Sequence, residues 1–148
     1  MRDLDLNKVK EAIRKSSNTT SILVGCDSSV SQKNKQKATY SRVVVLHIDS
    51  NRGAQLYGDV VSVPYYGSIR QRLMQEVFFA TEISLELLDT IDGRPFEIHL
   101  DLNPSPEYKS NIIVKEAIGY VRGQTGIEPK LKPEAMASST VADRFTSI

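Results

Sequence analysis

The chain has 148 residues, 40% of them hydrophobic and 25% charged, and 19 Lys and Arg stand against 18 Asp and Glu for a formal net charge of +1. This length and balance predict a single domain over residues 1–148 and exclude both a uniformly cationic nucleic-acid binder and an acidic tail, so any nucleic-acid contact must be a local patch. No stretch approaches the ~20 apolar residues of a membrane span, and Met1-Arg2-Asp3-Leu4-Asp5 is not the start of a signal peptide, so a cytoplasmic protein with no membrane attachment is expected.

Leu4, Leu6, Val9 and Ile13 recur near helical spacing, with Asn7 or Asp5 available as a cap, and predict a short amphipathic helix over residues 4–15. Ser21 to Cys26 reads as a buried strand, and the lone cysteine at its end reads as a packed hydrophobe rather than a nucleophile. A polar loop, Ser31 to Lys37, leads to a second strand, Tyr40 to Ile48, rich in β-branched residues. Asp49-Ser50-Asn51-Arg52-Gly53 is a turn, and Gln55 to Val63 is a third strand that Pro64 ends. From Ser68 the period changes: Leu73, Val77, Ala80, Ser84 and Leu88 recur at three- and four-residue steps, and Ser68 with Gln71 has the spacing of a capping box. Asp92-Gly93-Arg94-Pro95 stops this main helix, and Phe96 to Leu102 forms a fourth strand. Beyond the loop Asn103-Pro104-Ser105-Pro106, a helix over about 111–122 with Gly123 as its C-cap is expected, then a short fifth strand at Lys130 to Lys132. Ser138 or Ser139 caps a last helix.

Three hairpin-linked strands followed by strands alternating with helices predict an α/β fold with one mixed five-stranded sheet flanked by helices. In such a sheet the C-terminal ends of the first and fourth strands lie side by side where ligands bind. Asp27 and Asp101 sit at those ends, Glu76 lies on the apolar stripe of the main helix, and Asp143 lies in the last helix. Glu82, nearer the opposite side of the main helix, is the alternative ligand to Glu76. Carboxylates removed from water need a partner, and a divalent cation is the partner that four of them would share. Two Mg2+ or Mn2+ ions about 3.5–4 Å apart can be bridged by such acids, with phosphodiester hydrolysis as the matching chemistry. With only His47, His99 and Cys26 available, tetrahedral zinc fits poorly.

The order Asp27, Glu76, Asp101, Asp143 on these elements resembles the ribonuclease H-like superfamily. More closely, His99-Leu100-Asp101-Leu102-Asn103-Pro104, Tyr108-Lys109-Ser110-Asn111, Val114-Lys115-Glu116-Ala117 and Ser138-Ser139-Thr140-Val141-Ala142-Asp143 resemble the YkuK-like group of small bacterial and phage proteins. The resemblance implies a ribonuclease H-like fold and a Mg2+- or Mn2+-dependent nuclease, with RNA in an RNA:DNA hybrid as the first candidate substrate and Asp27, Glu76, Asp101 and Asp143 as metal ligands and catalytic groups. It departs from the hybrid-cleaving members in having no His between Asp101 and Asp143. Substrate contacts are expected from Ser28, Ser29, Asn103 and Lys109, with Lys33, Lys35, Lys37, Arg70 and Arg72 as further phosphate partners. The rival reading is a catalytically silent module of the same fold that binds nucleic acid or a replication or repair partner.

Overall fold

The computed structural model describes residues 1–132, so Asp143 and the helix expected around it lie outside the described residues. Their element order is β1 (Arg2–Asp3), α1 (Leu6–Lys15), β2 (Ser21–Val30), β3 (Lys37–His47), β4 (Ala54–Pro64), α2 (Ile69–Leu87), β5 (Phe96–Leu100) and α3 (Val114–Thr125). The sheet runs β1-β4-β3-β2-β5. β2, β3 and β4 form the antiparallel meander, and β5 lies parallel to β2 with Cys26 opposite Leu100. This is the α/β mixed five-stranded sheet expected from the sequence, with one exchange of membership. The N-terminal pair β1, parallel to β4, supplies the fifth strand, whereas the 130–132 segment makes only a single parallel bridge, His99 to Lys130. Backbone bonds from Lys130 N to Ile98 O (2.8 Å) and Leu100 N to Lys130 O (2.9 Å) still cover the outer edge of β5.

Strand alternation sorts the side chains. Ile22, Val24 and Cys26 on β2, Tyr40, Val44 and Leu46 on β3, and Ile98, Leu100 and Leu102 at β5 share one core with Val9 and Ile13 of α1, Leu73, Val77, Ala80, Ile83 and Leu87 of α2, and Ala117 and Val121 of α3. Val43 and Val45 pack with Leu23 and Leu56 in a second, smaller cluster. Within α2, the buried Thr81 and Ser84 hydroxyls donate back to Val77 and Ala80 carbonyls at 2.7 Å, which is how polar residues persist on its inner face.

The helix ends follow local chemistry. Asp5 Oδ1 accepts from Asn7 N and Lys8 N, and Ser68 accepts from Gln71 N at 3.1 Å. The C-cap of α3 is Gly126 rather than Gly123, and residues 109–113 form a separate 3₁₀ turn before it. Gly126 has φ 75°, which a residue without a Cβ adopts at no steric cost, and it donates to Arg122 O; Gly123 stays in the helical interior.

Arg94 ties the base of β5 to α1. It is 8% exposed, and its guanidinium donates to Ser16 O (2.7 Å), Ser17 O (3.1 Å) and Ile91 O (3.1 Å). Arg94→Ala leaves those carbonyls unmatched and should destabilise the fold by roughly 2–4 kcal/mol, read as a lower urea midpoint at unchanged m-value.

Candidate metal centre

Each acid reaches the site by a different route. Asp27 is near the C-terminal end of β2 and 7% exposed; Asp101 follows the last residue of the neighbouring parallel strand β5; Glu76 descends from α2 and is 5% exposed. One carboxylate oxygen from each of the three lies within 4.8 Å of the other two. Glu82 is exposed, so burial selects Glu76 as the helix acid.

Glu76 carries the electrostatic tension of the cluster. Its Oε2 accepts a short hydrogen bond from the Ser28 hydroxyl, and its Oε1 is buried with no partner among the described residues. Burial pushes its carboxyl up to about 8 and the Asp101 charge adds to the rise, while the Ser28 bond, Arg72 and Lys132 oppose it. Lys132 Nζ stands 2.5 Å from Asp101 Oδ1, so an internal cation already meets part of the negative charge. Cys26 is 2% exposed, and burial, then Glu76 and Asp27, push its thiol well up, so it serves packing and not nucleophilic chemistry.

Three converging carboxylates with an orphaned buried oxygen fit a hard divalent cation, which takes oxygen ligands and would satisfy Glu76 Oε1. Asp27, Glu76 and Asp101 could hold it.

The other expected residues have local duties. Ser28 binds Glu76, while Ser29 faces Thr39 on β3. The Asn103 side chain accepts from Ser105 N at 2.9 Å, and its own N–H donates to Ser110 Oγ at 2.9 Å, shaping the loop after Asp101. Lys109 is exposed at the start of the 109–113 turn. Arg70 is engaged with Glu116 of α3. Lys132 escaped sequence reasoning because 31 positions separate it from Asp101 and only the pairing of its segment beside β5 joins them. Behind the site, Glu97 Oε2 is 2.8 Å from His99 Nε2 and its Oε1 is 2.5 Å from Lys130. Burial alone would raise the Glu97 carboxyl, but the bonds from Lys130 and His99 outweigh it and hold it below the usual range.

The sequence matches the family described as Ribonuclease H-like over residues 6–147. The chain belongs to the ribonuclease H-like family. No curated protein matches it. Among solved structures, this ribonuclease H-like chain is similar to the native protease-reverse transcriptase of prototype foamy virus, at 13% identity and a TM-score of 0.43 over 87% of this chain and 20% of that one. The selenomethionine-labelled CSH mutant of that protein gives 14% identity and a TM-score of 0.45, over 86% and 20% of the two chains. The chain thus spans about a fifth of the length of either.

The raised Glu76 carboxyl sets the sign of a pH effect. Between the ordinary glutamate value of 4.5 and about 8, the folded state holds a proton that the unfolded state has released, so this contribution is full below that window and is lost as pH rises through it. In chelator, the melting temperature should fall from pH 5 to pH 8, and Glu76→Gln should flatten the slope. Paired melts of the two proteins across that range provide the check.

Proposed function

We propose that this protein is a metal-dependent nuclease that hydrolyses nucleic-acid phosphodiester bonds, with Asp27, Glu76 and Asp101 as its acidic core and Asp143 as a fourth ligand from the last helix. The supporting observations are the convergence of the Asp27, Glu76 and Asp101 carboxylates and a buried Glu76 oxygen with no hydrogen-bond partner among the described residues. When bound, Mg2+ or Mn2+, as one ion or two, would supply Lewis-acid stabilisation of the phosphoryl oxygens and lower the pKa of water.

The residues of the chain do the rest. Ser28 holds one oxygen of the Glu76 carboxylate, and Glu76 would lose its proton on taking a cation. Asp101, which the Lys132 ammonium meets at 2.5 Å, would also hold that cation. RNA in an RNA:DNA hybrid is the first substrate to try. The sequence motifs around Asp101 and Asp143 further support placement in the YkuK-like group.

A second reading draws on Lys132. An ammonium 2.5 Å from Asp101 is an internal substitute for a metal, as a silent module that binds nucleic acid or a replication or repair partner would retain. Cleavage separates the two readings. End-labelled hybrid, single-stranded RNA, duplex DNA and a four-way junction incubated in Mg2+ or Mn2+ should include one that is cut, and Asp101→Asn should lower the rate beyond the ~10–100-fold typical of outer-shell changes. Intact substrates at high enzyme concentration would sink the nuclease reading.

Metal should also stabilise the wild-type fold by about 2.7 kcal/mol at 100 times its dissociation constant. An equal metal-induced melting shift in Asp101→Asn would exclude the site.

A further inference from the structure

The site described above does not use the groove beside it, between the end of β4, the first turns of α2 and the β2–β3 hairpin. Ser28, which holds Glu76, is opposite Tyr40 on β3, and Tyr40 is opposite Val61 on β4, so this surface begins at the acid cluster and crosses the same end of the sheet. A small cleft of about 50 Å³ lies between Tyr40, Tyr65 and Arg72, one helical turn before Glu76. It shares Pro64 and Tyr65 with an open cavity of about 440 Å³ bounded also by Gln36, Lys37 and Tyr66. Tyr65 N donates to Gln36 O at 2.7 Å, which fastens the hairpin to the β4 end beside both openings.

The chemistry of the groove is aromatic and cationic. Tyr66 is 83% exposed and precedes a bend at Gly67, which takes φ 88°. The Arg72 guanidinium carbon lies 5.8 Å from the centre of the Tyr65 ring, and among the described residues its buried Nε has no hydrogen-bond partner and the side chain no ion pair. Lys33, Lys35 and Lys37 are exposed and likewise without an ion pair among the described residues. Among the described residues, no acid lines either opening.

We propose that this groove binds a single-stranded segment of nucleic acid, with an unpaired base stacked on Tyr66 and the backbone phosphates met by Arg72 and Lys37, leading the strand to the acid cluster. The phosphate backbone matches the unpaired cations. An aromatic face accepts an unpaired base, whereas bases in a duplex are already stacked on their neighbours, and such stacking is indifferent to base identity. The proposal rests on the nuclease reading only for the direction of the strand. It narrows that reading to substrates with a single-stranded stretch next to the scissile bond.

The test is binding in EDTA, where no metal-dependent cleavage occurs. Anisotropy of labelled oligo(U), oligo(dT) and a blunt DNA duplex would be measured with the full chain, Tyr66→Ala and Lys37→Gln. Either single strand should bind more tightly than the duplex, the tighter one naming the preferred sugar. Tyr66→Ala should weaken binding about tenfold or more, and Lys37→Gln should reduce the slope of log affinity against log salt by roughly 0.7. Because Tyr66 is exposed, Tyr66→Ala should fold normally, which a melt confirms. No single-strand binding by the wild type at low salt, duplex binding of equal strength, or an unchanged affinity in Tyr66→Ala would each overturn the groove. None of these outcomes touches the cleavage assay, and failure to cleave with intact single-strand binding would remove the nuclease reading while leaving the groove in place.

Discussion

The structure turns on a carboxylate that has no good place to go. Glu76 lies on the inner stripe of α2 between Leu73, Val77 and Ala80, with one oxygen on Ser28 and the other unmatched. An ionised carboxylate in such surroundings costs several kcal/mol unless something compensates it. Three remedies exist: a proton, a hydroxyl, or a cation. Asp27 and Asp101 make the proton less sufficient, since they bring further negative charge to the same point, and a cation answers all three groups at once.

The fold is arranged to impose that meeting. β2 lies between β3 and β5 in the ladder, antiparallel to the first and parallel to the second. The parallel pair carries Asp27 and Asp101 out at the same end, because parallel neighbours finish together. The meander brings β3 and β4 to that end as well, and α2 starts from it, so Glu76 falls over the acids less than two turns after Arg72 begins the flanking groove. Arg42 locks the meander with a bidentate pair to Asp59, at 2.8 and 2.6 Å, and lies over the Phe79 ring beneath α2.

Lys132 shows the same constraint at work beyond β5. Its segment carries one bridge and a few backbone bonds, yet it delivers an ammonium to Asp101, and Lys130 does the same for Glu97. Glu97 on β5 and Asp101 just beyond it meet Lys130 and Lys132 of the paired segment, placing opposite charges side by side, the cross-strand pairing that a sheet favours. A cation entering the acid cluster therefore competes with a side chain that the fold itself supplies.

Much of the architecture was legible because it rests on local chemistry. The β-branched runs, the period change at Ser68, its cap on Gln71 and the stop before Pro95 each bias the backbone within a few residues. Periodicity likewise put Glu76 on an apolar stripe, and burial on the inner face of α2 followed. The choice between Gly123 and Gly126 as the C-cap was not legible, since both are glycines near a helix end and only the packing of α3 shows how far it runs. Nor was the membership of the sheet: two residues at Arg2–Asp3 carry no strand signal, and pairing with β4 alone makes them one. The sequence by itself determined which residues are acidic, apolar or β-branched, and hence the elements and the residues with unusual electrostatic needs. Tertiary structure decided which of those needs meet, drawing Ser28 to Glu76 and Lys132 to Asp101 across separations of 48 and 31 residues. Local propensity acts over a few residues, whereas the electrostatics of a buried charge depends on whatever the folded chain brings within a few ångströms.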